Sequence, residues 1–220
     1  MIRVRTPRLP QSYIRFPLSA LLGDSGHVRV LRALLSYDGP MGTVQLARET
    51  GLSREAVRLV LDRLVAQGAV QALGTSRSRL FAAVETAPFI TALKPLFAAE
   101  RARWEALNAS LRDILNALPS VRSAWLYGSV ARREDTPESD LDLVVVLADR
   151  DAETHLRDDI DAVHEQFGAQ VSLVALTPED IRSRPDQDPW WTELERDAQI
   201  LKGMSPGQER TQAKRLRGPT

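Results

Sequence analysis

The first ninety positions alternate between apolar and polar residues at the three- and four-residue spacing that is typical of amphipathic helices. One helix is predicted from His27 and ends before Asp38-Gly39-Pro40, because glycine and proline interrupt the pattern there. A short helix follows with Thr43 as its N-cap, and a third begins after Ser53 and ends at Gly68. The apolar stripe of the third helix consists of Val57, Val60, Leu61, Leu64 and Val65.

Two short strands are predicted next, at Ala69–Leu73 and Leu80–Val84. The polar run between them contains glycine and is typical of a hairpin tip. From about residue 90 to about residue 118 the pattern is helical again, although Pro95 could interrupt that helix. The first half of the chain therefore predicts three helices, a hairpin and a long helical segment.

The second half of the chain alternates strands with helices. Strands are predicted at Ala124–Tyr127, Leu141–Leu147 and Val171–Leu176, with a helix at residues 151–167. A last helix is predicted at residues 188–202. Strands that are separated by helices indicate an α/β domain, in which helices flank a sheet.

Charge divides the chain in the same way as the hydrophobic pattern. Residues 1–90 carry 12 Lys/Arg against 6 Asp/Glu, whereas residues 121–203 carry 9 against 19. A basic half attracts nucleic-acid phosphates, and an acidic half repels them unless metal ions intervene. The chain of 220 residues is long enough for two small domains. The predicted organisation is a basic arm at 1–19, a first domain at 20–88, a helical connector at 89–104, a second domain at 105–203 and a basic flexible tail at 204–220.

The composition excludes several classes of protein. The sequence contains no cysteine, so disulfides, thiolate zinc sites and cysteine nucleophiles are excluded. No apolar run is long enough for a membrane-spanning helix, and the arginine-rich N-terminal segment does not resemble a signal peptide. We therefore expect a cytoplasmic protein.

A helix–turn–helix pattern lies in the first domain. Gly51 permits the turn, and Leu52 and Val57 hold the second of the two helices against the first. The N-terminal part of that second helix faces solvent, and the hairpin that follows is typical of a wing. The predicted DNA-contacting residues are Ser53, Arg54 and Arg58 of the helix, together with Arg77 and Arg79 of the hairpin.

This stretch, over about residues 20–86, resembles the winged helix-turn-helix regulators of bacteria and archaea. The resemblance implies binding to double-stranded DNA, with phosphate contacts that make the affinity depend on salt. A homodimer on a two-fold DNA site is expected, because a single winged helix binds weakly. The alternative is a winged helix that serves protein contacts alone.

The second domain contains a glycine–serine turn followed by paired aspartates. Gly128 allows a sharp turn after a strand, and Ser129 opens a helix whose N–H groups and hydroxyl can hold phosphate oxygens. Asp140 and Asp142 are two positions apart, so both carboxylates face one side of a strand and can hold Mg²⁺ against a triphosphate. Arg132 could also meet a phosphate.

These residues resemble the nucleotidyltransferase superfamily that includes DNA polymerase β, over about residues 105–203. The runs TPESDLDL and ELERDAQILKG are most similar to the minimal nucleotidyltransferases, which are often paired with helical toxin partners. The resemblance implies a mixed sheet with flanking helices, and an NTP such as ATP together with Mg²⁺ as cofactors. It assigns nucleotide binding to Gly128, Ser129 and Arg132, and metal binding and catalysis to Asp140 and Asp142.

One position departs from the pattern of that family. A third carboxylate from a later strand completes the family's metal site and helps to activate the attacking hydroxyl. The corresponding position here is Ser172, and a neutral hydroxyl replaces neither a hard metal ligand nor a general base. Asp161 is expected on a helix and Asp180 beyond a strand end, so neither is an obvious substitute.

Two functions therefore stay open, and the sequence leaves enzymatic activity undecided. The first is a DNA-binding transcriptional regulator whose second domain binds Mg-nucleotide or a protein partner, with weak or no turnover of the nucleotide. Such a regulator could resemble an antitoxin. The second is an active nucleotidyltransferase that transfers NMP from an NTP to a protein or small-molecule hydroxyl. The Trp190-Trp191 pair either contacts a partner or packs the last helix onto the sheet.

Overall fold

The chain divides into two compact units, Met1–Ala102 and Arg103–Thr220. The computed structural model describes residue 15 and residues 25–75 and 78–215. The predicted arm at 1–19, except for Arg15, and the hairpin residue Arg77 lie outside this described part. Of the helices in the described ranges, none combines the length and apolar character that crossing a membrane requires.

The first unit is a helical core with a three-stranded antiparallel sheet in the order β1-β3-β2. Its elements are α1 (Ser25–Ser36), β1 (Met41–Gly42), α2 (Thr43–Thr50), α3 (Arg54–Ala66), β2 (Val70–Thr75), β3 (Ser78–Ala83) and the first half of α4 (Pro88–Ala117). The predicted helices and hairpin are confirmed. The apolar stripes of α1 and α3 meet Leu46 and Phe81 in one buried core.

Helix ends in the first unit agree in part with the sequence signals. Ser53 caps α3 as predicted, since its hydroxyl accepts a hydrogen bond from the N–H of Ala56 at 3.2 Å. Thr43 does not cap α2; the N-cap is Gly42, which has no side chain for this purpose. Val65 was assigned to the apolar stripe of α3 but is 38% exposed, because it lies at the C-terminal edge of the stripe.

Helix α4 runs through Pro95 without an interruption. Proline removes one backbone hydrogen bond of the helix, but residues on both sides of it pack into the same core. Ile90 and Phe97 are buried there, and Glu100 pairs with Arg32 of α1 through two hydrogen bonds of 2.7 and 3.0 Å. These contacts stabilise the helix on either side of the proline.

The second unit is a four-stranded mixed sheet in the order β6-β5-β4-β7 with helices around it. Its elements after α4 are β4 (Val121–Tyr127), α5 (Gly128–Arg132), β5 (Leu141–Leu147), α6 (Glu153–Phe167), β6 (Val171–Leu176), α7 (Pro178–Ser183), α8 (Pro189–Asp197), β7 (Gln199–Lys202) and α9 (Pro206–Arg215). Strand β5 is central and apolar, and it pairs antiparallel with β4 and parallel with β6. The predicted α/β class is confirmed.

Two predictions for the end of the chain are wrong. The helix predicted at 188–202 ends at Asp197, and residues 199–202 form an edge strand on β4 because alternate side chains there can be buried. The tail predicted to be flexible from residue 204 contains α9. Ala213 and Glu209 of α9 are fully buried, and the Glu209 carboxylate accepts a hydrogen bond of 2.8 Å from Ser123.

Candidate nucleotide and DNA sites

The glycine–serine turn is built around a close approach to an aspartate. Gly128 follows β4 in a left-handed conformation with φ of 72°. A Cβ atom at this position would lie only 3.0 Å from the Cγ of Asp142 and would overlap its carboxylate oxygen. Glycine is therefore required at this position both by its backbone conformation and by its neighbour. The turn thus brings the start of α5 against the carboxylate of Asp142.

The register of the sheet aligns three side chains on one face. Tyr127 of β4 is directly opposite Asp142 of β5, and Asp142 is directly opposite Ser172 of β6. Directly paired residues of neighbouring strands have side chains on the same face. Ser172 is thus beside Asp142, where the sequence comparison with the family expected the third carboxylate.

Two carboxylates meet at the start of β5. Asp140 is exposed immediately before the strand, and Asp142 is half-buried within it. Burial raises the pKa of Asp142, and the charge of Asp140 raises it further, while Arg132 lowers it. A like-charged pair that is partly withdrawn from water is an arrangement that a cation would stabilise. Two carboxylates plus phosphate oxygens are also a usual ligand set for Mg²⁺.

No group of three acidic, histidine or cysteine side chains within the described ranges is arranged to hold a metal ion. Asp161 is exposed on α6, as predicted. Asp180 binds instead to Thr177 in the capping box of α7 and to Arg150 at 2.8 Å. The residues present therefore fit one Mg²⁺ bound together with phosphates, and they do not supply a third acidic ligand.

Arg132, the predicted phosphate contact, is held by two carboxylates. Its guanidinium donates to Glu134 at 2.8 Å and to Asp197 at 3.3 Å. The hydrogen bond with Glu134 is the main cause of a raised Arg132 pKa, so this cation keeps its charge. Asp197 was not singled out from the sequence, since it is 65 residues from Arg132 and only the fold brings it near. A phosphate that binds Arg132 competes with both carboxylates.

The tryptophan pair mainly packs α8 against the sheet. Trp191 is fully buried and meets Trp125 of β4 edge to face at a centroid distance of 6.2 Å. Trp190 is partly buried against the Tyr127 ring at 5.8 Å, and the Arg184 guanidinium covers it at 4.4 Å. Of the two alternatives left open by the sequence, the structure favours packing.

The helix–turn–helix presents the predicted cations to solvent. Gly51 ends α2 in a left-handed conformation, as the turn requires. Arg54 and Arg58 are exposed one helical turn apart on α3, and Arg79 is exposed on β3. No ion pair to these three side chains is found within residues 25–75 and 78–215. Ser53 is partly buried, and its oxygen is engaged in capping α3.

Comparison with known families supports the same two assignments. Residues 28–74 match the IclR helix-turn-helix domain, and residues 109–184 match the nucleotidyltransferase family of polymerase beta. These matches confirm the predicted resemblance of each domain and their order along the chain. No curated protein matches the chain significantly.

The solved structures that match part of the chain are distant in sequence. A toxin–antitoxin structure with AMP-PNP contains a chain that is 16% identical; the match covers 50% of this chain and 85% of the other, with a TM-score of 0.38. A complex of tri-AMPylated Shewanella oneidensis HEPN toxin with MNT antitoxin contains a chain that is 16% identical; the match covers 51% of this chain and 84% of the other, with a TM-score of 0.35. For the MntA-HepT toxin–antitoxin structure the identity is 15%, the match covers 51% of this chain and 85% of the other, and the TM-score is 0.35. The two family matches, and not these structural likenesses, carry the domain assignment.

Proposed function

We propose that this chain is a DNA-binding transcriptional regulator whose second domain binds Mg-nucleotide with weak or no turnover. The exposed Arg54 and Arg58 of α3 support the DNA-binding part. Helix N-terminal residues of this kind reach base edges and phosphates when a recognition helix enters the major groove. Arg79 of the wing adds a phosphate contact beside the groove. The regulator acts in the cytoplasm as a homodimer on a two-fold site.

In the second domain each predicted residue has a distinct role. The N–H groups and hydroxyl at Ser129 hold phosphate oxygens, and Arg132 exchanges a carboxylate partner for a phosphate. Asp140 and Asp142 hold Mg²⁺, which neutralises phosphate charge when it is bound. Gly128 supports this arrangement by allowing α5 to begin against Asp142.

The single observation that carries the proposal of weak turnover is the pairing of Ser172 with Asp142. Transfer of a nucleotidyl group needs a base near the attacking hydroxyl and charge that holds the metal in place. A serine hydroxyl stays neutral and supplies neither. The domain then binds nucleotide as a signal, and the bound state affects the DNA-binding unit or a protein partner.

The test is enrichment of sheared host DNA on the purified full chain, followed by sequencing, with and without Mg-ATP. We expect a few palindromic sites to be enriched, and the enrichment to change with Mg-ATP. If no duplex is enriched at low salt, the proposal that the chain is a DNA-binding regulator is overturned. If palindromic sites are enriched equally with and without Mg-ATP, the proposal of DNA binding stands and that of nucleotide sensing is overturned.

A second function is favoured by the convergence of Asp140 and Asp142 beside Gly128. These groups suit an active transferase that moves NMP from an NTP to a hydroxyl of a protein or of a small molecule. A toxin-like partner is one such protein acceptor. The test is transfer of label from an α-labelled NTP in host extract. Transfer by the wild type that is lost in Asp140→Ala would favour this function over the first.

A further inference from the structure

The basic end of the second unit is fixed in place by buried contacts. The carboxylate of Glu209 is fully buried and accepts hydrogen bonds from Ser123 at 2.8 Å and Arg122 at 3.4 Å. Arg210 follows Glu209 in α9, and its guanidinium donates hydrogen bonds to the backbone carbonyls of Pro185 and Asp186 at 2.5 and 3.1 Å. The cations of α9 therefore have defined positions beside the loop that joins α7 to α8.

A cleft lies between α9 and this loop, and we call it the basic cleft. It is lined by Arg182, Arg184, Pro185, Asp186 and Lys214. Three of these five residues are cations and one is an acid, although the segment 121–203 has an excess of acidic residues. The cleft is thus a local concentration of positive charge on an acidic domain.

The charges of the basic cleft are only partly compensated. Lys214 pairs with Asp186, and Arg184 pairs with Asp188 at 2.7 Å. Arg182 is exposed and has no ion pair within the described part of the chain. Arg210 donates its hydrogen bonds to neutral carbonyls, and it shares the single carboxylate of Asp186 with Lys214. A ligand with several negative charges would complement this surface.

The distribution of the cations favours a linear polyanion over a compact one. Arg182 comes from α7, whereas Arg210 and Lys214 lie four positions apart on α9 and so on one face of that helix. A row of side chains from two helices suits successive backbone phosphates, each contacted by one cation, better than it suits a single enclosed phosphate.

We infer that the basic cleft binds backbone phosphates of double-stranded DNA, as a contact surface separate from the helix–turn–helix. This inference rests on the proposed function in taking duplex DNA as the ligand. It assigns no base recognition to the cleft, because its cations present charge and no fixed pattern of donors and acceptors. The cleft therefore adds affinity and salt dependence to binding at any sequence.

The test is fluorescence anisotropy of a labelled mixed-sequence duplex titrated with the full chain between about 50 and 200 mM NaCl. The variant is Arg182→Gln with Lys214→Gln, and thermal melting confirms that it folds. Each lost phosphate contact lowers the slope of log affinity against log salt by about 0.9. We expect the slope to fall by about 1 to 2, and Kd at the lowest salt to rise about tenfold.

The matched control is Arg133→Gln with Arg157→Gln, which removes the same formal charge from the same unit. Both side chains are exposed, and neither lines the cleft. If the control shifts the slope as much as the cleft variant does, the effect belongs to net charge and the inference is overturned. If the cleft variant loses binding of tripolyphosphate but keeps the wild-type DNA slope, the cleft is a small-anion site and the inference is again overturned.

A third variant separates this inference from the proposed function. Arg54→Ala with Arg58→Ala removes the helix–turn–helix contacts and leaves the cleft intact. Loss of slope in the cleft variant, with none in this variant, would support the cleft and contradict DNA binding by α3. The reverse pattern would support α3 and overturn the cleft.

Discussion

The cations of the helix–turn–helix and the cation of the glycine–serine turn differ in how they are paired. Arg54 and Arg58 are exposed on α3 without an ion pair among the described residues. Arg132 is tied to Glu134 and Asp197 within its own unit. The difference indicates that α3 presents charge to an external anion, whereas the glycine–serine turn has compensated its charge and admits a phosphate only by exchange.

The first unit also contains a cation whose role is structural, and its removal should have the largest effect. Arg32 and Glu100 are buried and joined by two hydrogen bonds. Arg32→Ala should lower the free energy of unfolding by about 3–5 kcal/mol, because it removes the two charged hydrogen bonds that Arg32 donates to the buried carboxylate of Glu100. Urea denaturation measures this change, and the double variant Arg32→Met with Glu100→Met should recover most of it. A single-variant loss below about 1 kcal/mol would contradict the structural role.

The glycine at the turn of the second unit comes next in magnitude. Gly128→Ala must adopt a positive φ and also displace Asp142. Gly168→Ala is the matched control, since it has φ of 61° and no atom within 4 Å of the added carbon. We expect a loss of about 1 kcal/mol at Gly168 from the backbone alone, and a further loss of about 1–3 kcal/mol at Gly128 from crowding. Equal losses in thermal or urea unfolding would show that the approach to Asp142 is not tight.

The unpaired cations of α3 should affect binding and leave stability nearly unchanged. Arg54→Ala with Arg58→Ala should raise Kd for duplex DNA about 10- to 100-fold at low salt, which corresponds to about 1.4–2.8 kcal/mol. Arg63→Ala is the control, because Arg63 is exposed in the last turn of the same helix. Similar losses of affinity in the two variants would place the DNA elsewhere than at the N-terminal end of α3.

The smallest effect is expected at the paired aspartates, and it is a gain in stability. The pKa of Asp142 is raised by burial and by Asp140, so at neutral pH the ionised carboxylate is less stable in the folded than in the unfolded chain. Asp142→Asn should therefore raise Tm near pH 7, and the gain should vanish at acidic pH, where Asp142 is protonated in both states. Asp161→Asn, on the exposed face of α6, is the control and should change nothing. A lower Tm for Asp142→Asn at pH 7 would contradict this account.

Local patterns predicted most of the elements but not the contacts between distant segments. The run Leu141–Leu147 is apolar throughout and could be assigned to a buried central strand, and Ser53 could be assigned as a cap from its neighbours alone. The pattern predicts a helix up to residue 202, whereas residues 199–202 form an edge strand, because four residues are too few to show a period of two. Helix α9 was missed because its low apolar content indicates a solvated tail, and only the fold reveals the partners of Glu209.

In the candidate nucleotide site, too, local patterns were predictable and the contacts between distant segments were not. Gly128, Asp140, Asp142 and the departure at Ser172 could be assigned from spacing and resemblance. Asp197 could not, since its link to Arg132 depends on α8 packing beside α5. Sequence patterns therefore identified the groups that could bind a nucleotide, and the structure added the group that competes for one of them.

The most direct test of the account is pyrophosphate release from an NTP in host extract, which supplies acceptors, by the wild type, Ser172→Asp and Asp140→Ala. Equilibrium binding of the NTP is measured for each protein alongside. We expect the wild type to bind NTP with Mg²⁺ and to release pyrophosphate no faster than Asp140→Ala, while Ser172→Asp releases it faster. A different result would contradict the claim that Ser172 limits the second domain to binding: the wild type releases pyrophosphate, Asp140→Ala does not, and Ser172→Asp releases it at the wild-type rate.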